Sequence, residues 1–181
     1  MRNSRNPAAA DVIKQRILQI DSRRGYVALA LRVLLIALVL FLVFSQIFLL
    51  MRYQGEEMFP AVKDGDLLIA FRLTREYQKN DIVIYSSEGK RCVGRVIAGE
   101  NDVVEISEQG VLYVNGTAQY GEIMYPTYPG ENITYPYRVP GGHVFILKDY
   151  RTQADDSRNT GSVPLKDAKA KVITLLRRRG L

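Results

Sequence analysis

The chain has one cysteine, Cys92, and one histidine, His143, in 181 residues. A single thiol excludes an internal disulfide framework and any cysteine-based metal centre, and a single imidazole excludes a histidine cluster. A Cys92–His143 nucleophile pair is formally available, but both residues lie in strand-like apolar runs and are more simply read as buried. No metal and no other cofactor is expected. Charge is missing in one place: from Val33 to Met51 the chain reads VLLIALVLFLVFSQIFLLM, with only Ser45 and Gln46 as polar interruptions. A helix needs about 20 apolar residues to cross a bilayer, and Tyr26 to Leu31 extend the run if Arg32 snorkels. The alternatives are a buried core helix and a cleaved signal sequence. The run exceeds a signal h-region of about 7–15 residues, and no A-x-A-like site follows it.

Acidic residues are scarce on the near side of that run. Residues 1–52 carry eight Lys/Arg against Asp11 and Asp21, which accounts for the whole net charge of +6, and the remaining 129 residues are neutral. The positive-inside tendency therefore predicts a cytoplasmic segment over 1–26, a transmembrane helix over 27–51 and an extracytoplasmic domain over 52–181. Nucleic acid is not expected as a partner, because the basic charge is absent from the folded domain. Residues 9–22 space Val12, Ile13, Ile17 and Ile20 near a helical period among cations, which suits a short helix on the inner leaflet or a plain cytoplasmic tail.

Beyond Tyr53, short apolar runs alternate with turn signals: DLLIAFRL, DIVIYS, CVGRVIA, VVEIS, VLYV and HVFILK. Their length and their Val, Ile, Leu, Tyr and Phe content predict a mainly β, antiparallel domain. Asn115-Gly116 suits a type I′ hairpin turn. The final run, PLKDAKAKVITLLRRR, reads as a helix or as a strand around KVITLL, and Arg177 to Arg179 as a solvated end. Residues 120–140 hold five tyrosines and four prolines. They read either as an irregular loop or edge strand that prolines keep from pairing, or as an exposed aromatic surface for a protein partner.

Four stretches in order resemble the type I signal peptidases, membrane-anchored serine peptidases that remove signal sequences outside the bacterial membrane. GEEMFPAVKDGD, directly after the apolar run, resembles the family's nucleophile loop, with Gly55, Met58 and Pro60 retained. NDIVIY resembles the next strand. GRVIAGENDVVEI and VLYVNG resemble the strand and hairpin around the general base, with Arg95 retained. VPGGHVFILKDYRTQADDSRNTGSV resembles the family's last box, with Asp149, Arg151, Asp156, Ser157 and Arg158 retained. The resemblance implies a curved antiparallel sheet or partly closed barrel with one N-terminal transmembrane helix.

It also implies that the chemistry is gone. The nucleophilic serine's position is Glu57, the base lysine's is Gly94, and that of the serine orienting the lysine is Ala154. Ala61 replaces a threonine, and Lys148 and Tyr150 replace the glycine and asparagine of the last box. A Ser–Lys dyad needs a desolvated, neutral amine to take the hydroxyl proton. Arg95 cannot deprotonate and points to the other face of its strand, Lys90 and Arg91 sit nearer a turn, and the consecutive Glu56 and Glu57 diverge in an extended loop. Gly94 is expected to leave space where a lysine would lie. Glu57 is expected to be solvated or hydrogen-bonded, and Asp149, Arg151, Asp156 and Arg158 to form an ion-paired network. The reading is a non-catalytic signal-peptidase-like chaperone or scaffold. It resembles the accessory factors of sortase-dependent pilus assembly in Gram-positive bacteria, and binds a pilin or a sortase–pilin assembly at the cell membrane. The alternatives are an active signal peptidase, with Ser86 and Ser87 in a turn as the nearest downstream serines, and a decoy that regulates one. On this reading Glu57→Ser with Gly94→Lys restores weak proteolysis, and neither alone does.

Overall fold

The computed structural model describes residues 7–74, 76–120, 124–152 and 155–177, with side chains from Gly25 onward. The chain divides between Ser45 and Gln46 into two compact bodies. The first is helix α1, Pro7–Ile47, which continues through the stretch expected to form a separate interfacial helix. Its segment Gly25–Ile47 has a mean hydropathy of 3.0 and is long and apolar enough to cross a membrane.

The helix stops at Ile47, before the expected end of the span at Met51. Phe48–Arg52 form strand β1 instead, paired antiparallel with β2, Leu67–Phe71, over five residue pairs from Phe48↔Phe71 to Arg52↔Leu67. Tertiary pairing outweighs hydropathy here, because Leu49 is buried in the core of the second body.

That body is built from antiparallel strands, as the alternation predicts. The further strands are β3 Ile82–Ser87, β4 Lys90–Ala98, β5 Val103–Ile106, β6 Leu112–Val114, β7 Thr117–Ala118, β8 Tyr137–Arg138, β9 His143–Leu147, β10 Val163–Pro164 and β11 Ala168–Leu176. One sheet has the order β1-β2-β11-β3-β4-β9-β10 and the other β7-β6-β5-β8. Both sheets are open, so the partial closure into a barrel is not found. The hairpin at Asn115-Gly116 has φ of 52° and 74°, as a type I′ turn requires, and Glu88-Gly89 joins β3 to β4 the same way with 49° and 77°. Ser86 and Ser87 lie within β3, opposite Arg91 and Lys90, and not in a turn. Residues 124–136 contain no regular strand or helix, consistent with their prolines.

The final run is a strand, not a helix. β11 slots between β2 and β3, with bulges between Ala168 and Ala170 and between Val172 and Thr174. Two apolar clusters line opposite faces of the larger sheet: Leu49, Met58, Val62, Leu68 and Ile84 on one, and Val83, Tyr85, Val96, Val144 and Ile146 on the other. A third, around Val104, Val139, Phe145 and Leu147, joins the two sheets. Strand β4 contributes to all three, which is why it positions the site described next.

Candidate functional site

The loop between β1 and β2 is held by its own polar groups. Tyr53 N–H donates to Asp66 O at 2.8 Å, and Gly65 N–H donates back to Tyr53 O at 2.9 Å, closing the base of the loop. Asp64 Oδ1 accepts from Gly55 N–H at 2.9 Å, Asp66 Oδ2 from Lys63 N–H at 3.0 Å, and the Tyr53 hydroxyl from Met58 N–H at 3.2 Å. Tyr53, Met58 and Val62 plug into the core, and Glu56 and Glu57, between Tyr53 and Met58, are exposed. Gly55 has φ of 114°, a conformation that residues with a Cβ rarely adopt.

Burial pushes the Tyr53 phenol up to about 12, with the Glu57 charge adding to it, and burial does the same for Tyr135, also to about 12. Raised phenol values favour the folded state while the groups stay neutral. This contribution is complete below the ordinary value near 10 and is lost as pH rises towards about 12. The thermal midpoint is therefore expected to fall over that window, and Tyr53→Phe or Tyr135→Phe to flatten the fall, as followed by circular dichroism in matched buffers.

At position 57 the side chain has a partner. Glu57 Oε2 lies 2.7 Å from Lys148 Nζ; the Lys148 side chain is 7% exposed and that of Glu57 52%. Tyr150 N–H donates to Glu57 O at 2.8 Å, and Lys148 N–H donates to Asp156 Oδ2 at 3.1 Å. Loop and sheet are thus tied at both backbone and side chain. The expectation that Glu57 is solvated or paired agrees with this geometry.

The expectation of free space at Gly94 does not. A Cβ built there would overlap Ile146 Cγ2 and stand 3.2 Å from Tyr85 Cε1 and 3.3 Å from Leu147 O. The face of β4 that the family's lysine would use is filled by neighbouring strands. An amine arrives from the next strand instead: the register Arg95↔Leu147 between β4 and β9 brings Lys148 abreast of Gly94. Lys148 is the site residue that sequence reasoning noted only as a departure. The available signal was its strand parity with Ile146, which puts it on the Gly94 side.

The charged residues of the last box include two close ion pairs. Asp149 is paired with Arg95, at 2.8 Å to Nε and 2.6 Å to Nη2, while Asp156 is paired with Arg158. Asp156 also caps the short helix α2, Ser157–Thr160, by accepting from Arg158 N–H, and Ser157 Oγ accepts from Ile146 N–H. Arg151 is buried; its guanidinium makes one hydrogen bond, from Nη1 to Thr127 Oγ1 at 3.0 Å, and its Nε and Nη2 have no hydrogen-bond partner. Burial pushes its guanidinium down to about 10, against the pull of Asp149 and Asp156. Arg177, expected to be solvated, contacts Asp66 at 3.5 Å and donates to Ala61 O. Arg178, Arg179 and Ala154 lie outside the described residues. Cys92 and His143 sit on β4 and β9, and no cluster of metal-ligating side chains occurs among the described residues.

The loop, the strand after it and the last box thus lie in one arrangement around position 57. Residues 26–176 match the family model described as signal peptidase, peptidase S26. The chain belongs to this family. The probable thylakoidal processing peptidase 2 of Arabidopsis thaliana is 34% identical over 126 residues, 61% of this chain and 33% of that protein. Signal peptidase I P of Bacillus subtilis subsp. natto is 30% identical over 143 residues, 71% of this chain and 77% of that one. A crystallised signal peptidase I of Enterococcus faecalis V583 is 28% identical, with a TM-score of 0.45 over 55% of this chain and 97% of its own. The chain spans about a third of the length of the two thylakoidal processing peptidases it matches. The carboxylate of Glu57 and its partner Lys148 lie at the centre of this arrangement. Lys148 Nζ is engaged by that carboxylate, and no described hydroxyl is hydrogen-bonded to it.

Proposed function

We propose that this member of the signal peptidase family binds an exported polypeptide without cutting it, as a membrane-anchored chaperone or scaffold. The observation that supports the reading is the Glu57–Lys148 ion pair, which engages the side chain that the resemblance aligns with the family's nucleophile. The charge asymmetry of residues 1–52 favours a cytoplasmic N-terminus and a domain outside the membrane. An open antiparallel sheet supports recognition of extended chain by strand addition, in which main-chain hydrogen bonds give affinity and alternate side chains give selectivity. By analogy with dyad-less members of the family, the polypeptide is a pilin in sortase-dependent pilus assembly.

A photo-crosslinking residue at position 57 in living cells, with the captured partners identified by mass spectrometry, tests the reading. One or two surface proteins are expected; a broad set of secretory precursors would instead indicate a decoy. Processing of a secretory precursor by the purified wild-type chain would establish an active peptidase and end the proposal.

A further inference from the structure

We infer that Lys148 stands in for the family's missing base, so that Glu57 alone separates this site from a working hydroxyl–amine pair. This rests on the placement of Glu57 at the nucleophile's position, as in the function proposed above. The amine has not been lost from the fold. It has moved one strand over, from β4 to the end of β9, abreast of the glycine that replaces it.

Its surroundings suit a base once the carboxylate is gone. The Lys148 side chain is buried and its backbone is pinned by Asp156, which leaves the flexible stem to place the amine. Among the groups around it, Asp156 is committed to Arg158 and Asp149 to Arg95. On β4, Cys92 is within electrostatic reach of Lys148, Glu57, Lys90 and Asp155, and on β3 Tyr85 lies over Gly94. Glu57 is thus the one described carboxylate ion-paired with the amine. Removing it leaves a buried amine with no carboxylate ion-paired to it among the described residues, beside the position of the new hydroxyl.

With Glu57→Ser, the new hydroxyl lies two bonds short of the present carboxylate oxygen, within the sweep of the lysine stem. Its oxygen attacks the carbonyl carbon of an activated ester such as p-nitrophenyl acetate while the Lys148 amine takes the hydroxyl proton. The carbonyl carbon–aryloxide bond breaks, p-nitrophenolate leaves, and the acetyl group stays on residue 57. The ammonium returns its proton to solvent. In the second half water gives a proton to the amine as its oxygen attacks the acetyl carbonyl, and the amine passes that proton to the departing serine oxygen, releasing acetate and restoring the hydroxyl.

The test uses the full chain in detergent, with acetylation at residue 57 read by peptide mass spectrometry. Glu57→Ser is expected to acetylate about 100-fold faster than Glu57→Ser/Lys148→Met, a general-base effect of ordinary size. A second variant keeps the inference testable if the first misfolds: the thiol of Glu57→Cys should be alkylated by iodoacetamide with a pH profile shifted down relative to Glu57→Cys/Lys148→Met. Equal acetylation by the two serine variants, or superimposable profiles for the two cysteine variants, overturns the assignment of Lys148 and leaves the non-catalytic reading of the wild type intact. Precursor cleavage by the wild type has the converse effect.

Discussion

Asp156→Asn is expected to cost about 3–5 kcal/mol of folding stability, the range for breaking a buried ion pair by removing one partner. The Asp156 carboxylate is 2% exposed. Its Oδ1 accepts from the Arg158 backbone N–H at 3.1 Å and from Nε at 2.8 Å, and its Oδ2 from Nη2 at 3.0 Å and from Lys148 N–H at 3.1 Å. An amide keeps the shape but removes the charge opposite a buried guanidinium, and turns one acceptor into a donor that faces other donors. Chemical denaturation measures the loss directly. The double variant Asp156→Leu/Arg158→Met should lose less than the sum of the two single changes, because removing both charges together strands neither. A loss within about 0.5 kcal/mol for Asp156→Asn would put it among surface substitutions and contradict this account. The effect reaches the site as well, since the same carboxylate anchors the backbone of Lys148. Crosslinking from position 57 should weaken in step with stability.

Gly94→Lys is expected to unfold much of the population and to confer no proteolysis, alone or with Glu57→Ser. Even an alanine Cβ would overlap Ile146 Cγ2, the branch of a β-branched side chain with little rotamer freedom, while Tyr85 Cε1 and Leu147 O close the other approaches at 3.2 and 3.3 Å. Overpacking of this kind costs about 1–3 kcal/mol for a small insertion, and a lysine adds a longer stem and an ammonium without a partner. Thermal midpoints should fall in the order wild type, Gly94→Ala, Gly94→Lys. A Gly94→Lys chain that melts with the wild type and cleaves peptide once Glu57→Ser is added would show that the strand face is roomy after all. The expectation from family resemblance, that restoring both dyad residues restores weak activity, assumed a space that Ile146 and Tyr85 fill.

The two predictions differ in how visible they were beforehand. Asp156, Ser157 and Arg158 stand together in the chain, so their involvement in one local arrangement was legible. Their partners were not, because Asp149 reaches Arg95 across two strands and Arg151 finds Thr127 from a segment without regular structure. Gly94 was legible as the residue that the resemblance aligns with the family's lysine. Its filled surroundings were not, because Tyr85 and Ile146 come from β3 and β9.

Charge distribution, the apolar run and the alternation of short strands are local or additive properties, and the chain alone determined them: a basic N-terminus, a helix able to span a bilayer and an antiparallel β domain. Tertiary structure decided where the apolar run stops being helix, since Phe48–Arg52 gain a partner strand in β2. It also decided that β11 lies between β2 and β3, and that Lys148 meets Glu57. Such facts depend on strand register, which a one-residue slip would invert and which is set by the packing of residues far apart in the chain.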